Sequence, residues 1–303
     1  MCSLFGFYNY SNNEIKGLSE LTNKLAKEAT VRGTDATGIS YNYKNNLVIH
    51  KEPKSAYKMV FKHPENTIAV MGHTRHSTQG SEKKNYNNHP FMGKCENSRF
   101  TLAHNGIISN DDRLRKEYKI PKTKIETDSY IAVQLIEKKK QLDNESIKFM
   151  SEKVHGSFTF SILDDKNTLY LIKGDNPLYL IHFPKYKLYV YASTDAILFK
   201  ALIGTKLFNE IKKGDFEEIE IASGEIISIF TCGKILRDKF DYTDYSYFGL
   251  WDWSRYGLND NNDYINDLKS VSKYYGYEPD DIDVLIEEGF TPDEIEEYIY
   301  CME

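Results

Sequence analysis

The second residue of the chain is a cysteine, separated from the amino terminus only by Met1. With Met1 removed, Cys2 carries a thiol and a free α-amine on one carbon. An α-amino group titrates at about 7.7 to 8, so near neutral pH much of it is an unprotonated base. Such a base beside a thiol of pKa about 8.5 makes a nucleophile that needs no separate histidine. It is the terminal-amine counterpart of a Ser-His pair. The competing explanation is packing, since cysteine is commonly a small buried hydrophobe. Leu4, Phe5, Phe7 and Tyr8 follow as a short apolar strand with neither a basic leader nor a long apolar run, so a targeting segment does not explain Cys2.

Four more clusters of reactive groups follow: RGTDATG (32–38), GHTRHSTQG (72–80), AHNGIISN (103–110) and ETDSY (126–130). Taken singly, Arg32, Asp35 and Asp128 read as surface ion pairs or caps. Asn105 and Gly106 offer a side-chain amide and an unobstructed backbone N–H, the donors that stabilise an oxyanion. The local reading of the same pair is a hairpin turn with Asn-Gly at its centre, and both readings can hold. His73, His76, His89 and His104 raise a metal hydrolase as a rival. No Glu or Asp stands at metal-motif spacing beside them, which favours structural histidines.

In this order and spacing the clusters resemble the glutaminase domain of the class II glutamine amidotransferases, a family of N-terminal-nucleophile enzymes. The resemblance spans residues 2–235. It implies a four-layer αββα sandwich, with Cys2 as nucleophile and Asn105 and Gly106 as the oxyanion hole. It also implies that Arg75 takes the glutamine α-carboxylate and Asp128 the α-amino group, with Thr78 and His76 on the substrate loop. Thr74 matches as well, and Arg32 supports the site. NNHPF (87–91) resembles the family's Asn-x-x-Pro turn, and GSFTFSILD and ASTDAIL resemble later core segments. His76 stands where relatives carry Trp or Tyr, and Gln79 where one branch carries His, so the acceptor reaction of that branch does not transfer. The implied chemistry needs no metal or cofactor. Fixing both charged ends of glutamine, the carboxylate through a bidentate guanidinium, turns binding energy into orientation of the amide over the thiolate. Attack releases ammonia and leaves a γ-glutamyl thioester that water hydrolyses.

The elements that must position these groups are legible as patterns. Strand-like runs occur at 4–8, 39–43, 47–50, 68–73, 100–104, 158–163, 169–173, 178–182, 188–191, 217–221 and 225–230, and helical spacing at 15–29, 127–139 and 144–154. Strands arrive in groups rather than alternating with helices, which predicts an α+β fold. The pattern stops near Arg237, so the expected domains are 2–237 and an aromatic linker with an acidic helical tail, 238–303. Trp251 or Trp253 is expected to pack on the body. Pro279, with Ile282, Leu285 and Ile286 on one face and Gly289 past the end, marks one tail helix. Thr291, Pro292 and Glu294 mark the start of another, with Phe290 and Ile295 as its staple.

The net charge of −6 is uneven: residues 274–303 hold eleven acidic and no basic side chains, leaving +5 on the first 273. A mildly basic body without Lys/Arg stripes gives no case for nucleic acid. No apolar stretch reaches the roughly 18 residues of a membrane span, and four scattered cysteines fit a reducing cytoplasm. About 66 residues follow Arg237, too few for an ammonia-consuming synthase domain. The expectation is therefore a separate acceptor enzyme docking on 260–303, with a stabilising cap as the alternative role of the tail. The rival from another class is a catalytically idle glutamine-binding or adaptor protein that works through its acidic tail.

Overall fold

A computed structural model describes residues 2–11, 15–44, 46–242, 265, 268–269, 272, 277–287, 290 and 295. Its first strand, Ser3–Asn9 (β1), is buried along its whole length. Phe5 and Phe7 face one apolar cluster, Leu4 and Tyr8 another. A strand that is apolar on both faces belongs in the middle of a layered fold, and the rest of the chain builds those layers around it.

In chain order the helix Leu18–Glu28 (α1) precedes the strands Ala36–Tyr43 (β2), Asn46–Glu52 (β3), Ala69–Arg75 (β4), Phe91–Lys94 (β5) and Arg99–Ile108 (β6). Three helices follow, Asp111–Glu117 (α2), Tyr130–Lys138 (α3) and Asn144–Lys153 (α4). Then come Gly156–Asp164 (β7), Leu169–Lys173 (β8), Tyr179–Phe183 (β9) and Leu188–Ala192 (β10), the helices Asp195–Leu202 (α5) and Lys206–Lys213 (α6), and the strands Glu217–Ile219 (β11), Glu225–Ile229 (β12) and Ile235–Lys239 (β13). They form a seven-stranded sheet, β11-β9-β10-β1-β4-β2-β3, and a six-stranded sheet, β13-β12-β8-β7-β6-β5. All strand pairs are antiparallel.

Helices α1, α5 and α6 bury Leu18, Leu21, Leu25, Ile197, Leu198 and Leu207 against the outer face of the first sheet. Helices α2, α3 and α4 cover the outer face of the second through Leu114, Ile131, Leu135 and Ile147. Between the sheets lie Leu4, Tyr8, Met71, Ala103, Leu163, Leu171 and Tyr191. The result is the αββα sandwich that the resemblance implied.

One local reading is corrected. Asn105 and Gly106 make no hairpin turn: both lie inside β6, which continues to Ile108 in register with β7. The glycine takes φ 138° there, and a Cβ on it would sit 2.0 Å from the Ser157 carbonyl oxygen. That is a close backbone approach, and in a strand it calls for glycine as surely as a turn does.

The compact body extends over Met1–Thr243. β13 and Phe240 carry its packing beyond residue 237, with Phe240 buried in the second core and Tyr242 set edge-on to Phe158 at 5.6 Å. The second unit, Asp244–Glu303, includes the helix Pro279–Glu287 (α7), which starts at the expected proline. Ile282 packs there with Leu268 and Ile295, while Val284 and Phe290 are exposed. Trp251, Trp253, Gly289 and the TPDE cap lie outside the described residues. Among the described residues no helix is long and apolar enough to cross a membrane.

Candidate active site

The register of three strands assembles the site. β1 pairs with β4 as Ser3 to Thr74 and Leu4 to His73, and β2 pairs with β4 as Ala36 to Arg75. Cys2, one residue before β1, therefore falls beside the end of β4. Its Sγ lies 3.5 Å from the His76 carbonyl oxygen, and Arg32 Nε donates to the Cys2 carbonyl at 3.0 Å. Ser193 fixes Leu4, two residues on: its Oγ accepts from the Leu4 N–H and its N–H donates to the Leu4 carbonyl, each at 2.9 Å. Burial pushes the Cys2 thiol up, and the terminal ammonium and the Arg75 guanidinium oppose it. A thiol so placed needs a base at hand before it attacks.

Arg75 is almost wholly buried and held as a fork. Nη1 donates to Asn88 Oδ1 at 2.8 Å, and Nη2 to the carbonyls of Gln79 and Gly80 at 2.6 and 2.7 Å. These bonds curl residues 76–80 around the guanidinium. Asp35 ties down the same loop, its Oδ2 accepting from the Ser77 N–H at 2.7 Å. Gly33 lies beneath the Arg75–His76 peptide, where a Cβ would be 2.5 Å from the Arg75 carbonyl carbon. Lys51 braces Asn88 from behind, donating to the carbonyls of Asn88 and Pro90, and burial with the nearby Arg75 lowers its pKa to about 8.

Asp128 is 4% exposed, and its Oδ2 accepts from the Ile108 N–H at 2.6 Å. Burial raises its carboxyl above the ordinary value; the hydrogen bonds from Ile108 and Ser129 and the charge of Arg75 act the other way. Gln79 joins the two halves of the site, since its carbonyl holds Arg75 while its Oε1 accepts from the Asp128 N–H at 3.2 Å. Cys2, Arg75 and Asp128 lie within electrostatic reach of one another.

Asn105 is fully buried, and neither its Nδ2 nor its Oδ1 has a partner among the described residues. A buried amide costs about 1–3 kcal/mol unless something meets it, so the Asn105 side chain is a donor and acceptor open to a bound molecule. It lies on the stretch of β6 whose Ile108 N–H reaches Asp128.

Of the residues singled out in the sequence, Cys2, Arg32, Arg75, His76 and Asp128 come together around the ends of β1 and β4, and Asn105 and Gly106 lie on β6. Thr78 is exposed, and His76 is half-buried with its pKa lowered by burial. The other histidines form a neutral bed behind Arg75. His73 donates to the His104 carbonyl at 2.9 Å and packs on His89 with ring centroids 4.1 Å apart, while His104 Nδ1 is 2.8 Å from Ser129 Oγ. Burial takes His73 and His104 to about 3 and His89 well below its ordinary value. Among the described residues no group of three or more His, Cys, Asp or Glu side chains is placed to hold a metal. Sequence reasoning missed Asn88, Gln79 and Ser193 as partners. The NNHPF likeness pointed at Asn88, and GHTRHSTQG and ASTDAIL contained Gln79 and Ser193 without giving them these roles.

Residues 73–200 match the model of a family described as the glutamine amidotransferase domain. The chain is 33% identical over 189 residues to glutamine–fructose-6-phosphate aminotransferase (isomerizing) of Bacillus thuringiensis subsp. konkukian, and 33% over 193 residues to that of Staphylococcus aureus. In each case 59% of this chain matches 30% of the relative, so the chain spans about a third of the length of these curated proteins. Among solved structures, glutamine phosphoribosylpyrophosphate amidotransferase from B. subtilis superposes with a TM-score of 0.62 at 20% identity, covering 90% of this chain and 58% of that one. A structure described as the allosteric regulatory enzyme of purine biosynthesis matches with the same score and identity, covering 91% and 59%. Residues 73–200 thus resemble a glutamine amidotransferase domain, and the body shares the fold of these solved amidotransferases.

Proposed function

We propose that this chain hydrolyses the side-chain amide of L-glutamine to glutamate and ammonia through a thioester on Cys2. The supporting observation is that one site offers a thiol, a buried guanidinium and a buried carboxylate within mutual electrostatic reach. A free amino acid presents a carboxylate and an ammonium of matching sign, to be held by Arg75 and Asp128, with His76 and Thr78 on the loop beside them. Removal of Met1 gives Cys2 an α-amine that takes the thiol proton, which the burial of that thiol makes necessary. The thiolate adds to the amide carbon, and the Asn105 side chain and Gly106 N–H hold the oxyanion. The tetrahedral intermediate then expels ammonia with the proton returned from the amine, and water cleaves the thioester. Arg32, bonded to the Cys2 carbonyl, keeps the nucleophile in register.

The curated relatives bear the name of an aminotransferase that moves glutamine nitrogen to a sugar phosphate. On this reading the ammonia made here also goes to an acceptor enzyme, a separate chain that docks on residues 260–303. The body is taken to reach residue 243 rather than the 237 at which the strand pattern fades, with the tail as its appendage. Cys2, Cys95 and Cys232 are free thiols, as a cytoplasmic setting would leave them.

The test is intact-mass measurement after incubation with an electrophilic glutamine analogue, alongside an assay of ammonia release from glutamine. The expected result is a chain lacking Met1 and carrying one adduct on Cys2. Labelling should vanish in Cys2→Ala and slow in Arg75→Ala and Asp128→Ala. Label on Cys95, or ammonia release that survives Cys2→Ala, rejects the mechanism.

A further inference from the structure

We propose that Asn176 is a positioning residue for the oxyanion donor, acting through a single peptide group; the inference rests on the glutaminase reading above. The Asn105 carbonyl and the Gly106 N–H belong to the same peptide bond, which is planar and trans, so the two point in opposite directions. Whatever fixes the carbonyl therefore aims the N–H. Asn176 Nδ2 donates to the Asn105 carbonyl oxygen at 3.1 Å, from the side where β7 lies. The opposite edge of β6 is defined by its neighbours: the His104 carbonyl accepts from His73, and the Ile108 N–H donates to Asp128. By the alternation of an antiparallel ladder the Gly106 N–H lies between them on that edge, turned toward the carboxylate assigned to the substrate ammonium.

The contact is built rather than incidental. The Asn176 carbonyl accepts from Thr159 Oγ1 at 2.7 Å and Lys173 Nζ at 3.2 Å, and Asp175 Oδ1 accepts from the Phe158 N–H at 2.8 Å. The loop after β8 is thereby strapped to β7, opposite Asn105. The Asn176 amide also packs on the bare α-carbon of Gly106, where a Cβ would lie 2.7 Å from Nδ2. A hydrogen bond received by a peptide carbonyl polarises that peptide and strengthens its N–H as a donor. Asn176 thus aims the donor and sharpens it without touching substrate.

The test is steady-state ammonia release by the full-length chain lacking Met1. Asn176→Asp keeps the shape but is acceptor-only at neutral pH; Asn176→Ala deletes the contact and reads the same quantity if the carboxylate disturbs the loop. Losing a whole oxyanion donor costs about 10² to 10³ in rate, so a misaimed one should lower kcat by about ten- to a hundredfold. KM for glutamine should stay within about twofold, because the ground-state contacts run through Arg75 and Asp128. Melting temperatures should match wild type. Unchanged kcat in both variants, or a fall in kcat that only follows loss of folded protein or a rise in KM, overturns the inference while leaving the glutaminase reading intact. A wild-type chain that is correctly processed and inert toward glutamine overturns that reading, and this inference with it.

Discussion

On the proposed reading, Asp128 is the residue whose protonation state governs what the site can hold. Burial raises its carboxyl, so on acidification it takes up a proton at a higher pH than an exposed aspartate. Only the ionised form pairs with an ammonium. Affinity for glutamine is therefore full above the raised pKa and is lost as pH falls through it. KM should climb on lowering the pH in a window that opens above the ordinary carboxylate value of about 3.9, ahead of any effect from surface aspartates. Asp128→Asn should show a KM already raised by about ten- to a hundredfold at neutral pH, the scale of one charge-assisted hydrogen bond, and flat across that window. A variant KM that still follows the wild-type profile would assign the titration elsewhere. The buried histidines do not interfere, since His73 and His104 at about 3, and His89 held well below its ordinary value, stay neutral across that window.

At the scale of elements, the site depends on how closely the segment after α1 lies under the end of β4. Gly33 is extended, so its backbone is open to any residue, but a Cβ there would meet the Arg75–His76 peptide at 2.5 to 2.8 Å. Gly33→Ala must lift that peptide and with it the Cys2–His76 contact and the fork on Arg75. Overpacking of this kind costs about 1–3 kcal/mol, while a displacement of about 1 Å in a site can cost a hundredfold in rate. The expected outcome is a kcat/KM lower by about a hundredfold beside a modest loss in denaturant midpoint, and full activity would show that the loop adapts. The sequence carried much of this arrangement because its signals were local. Strands with apolar faces announced β1, β4 and β6, the Leu18, Leu21 and Leu25 spacing announced α1, and the reactive clusters lay close to strand ends. What it hid was contact across distance. Asn176 and Asn105 are 71 residues apart, and Gln79 and Asp128 are 49 apart, with no periodicity to join them. Short elements were missed as well: β5 has four residues, and α5 reads DAILFKAL, too apolar to show a helical stripe. Asn-Gly misled because turn chemistry is a local prior, and at Gly106 the packing of Ser157 overrode it.

On the scale of the whole molecule, the charge and the cores divide the chain differently from the point where the strand pattern fades. The acidic residues of 274–303 belong to a unit with its own small cluster of Leu268, Ile282 and Ile295. The body's second core reaches Phe240 and Tyr242, which stack on and against Phe158 two residues after the start of β7. The Phe158 N–H in turn donates the hydrogen bond to Asp175 that straps the loop holding Asn176, so the body's last aromatics support from behind the strands proposed to hold the oxyanion. A chain ending at residue 243 should keep the wild-type melting temperature and release ammonia within about twofold of wild-type kcat/KM. Ending the chain at residue 237 removes Phe240 and cuts β13, and losing a buried aromatic of that size costs about 3–5 kcal/mol. For a body of this length that predicts a melting temperature lower by roughly 6 to 20 °C. Thermal melts of the two truncations with parallel kcat measurements decide the matter. Equal melting would place the body's end at 237, whereas loss of folding in the chain ending at 243 would make the acidic unit part of the catalytic body rather than an appendage to it.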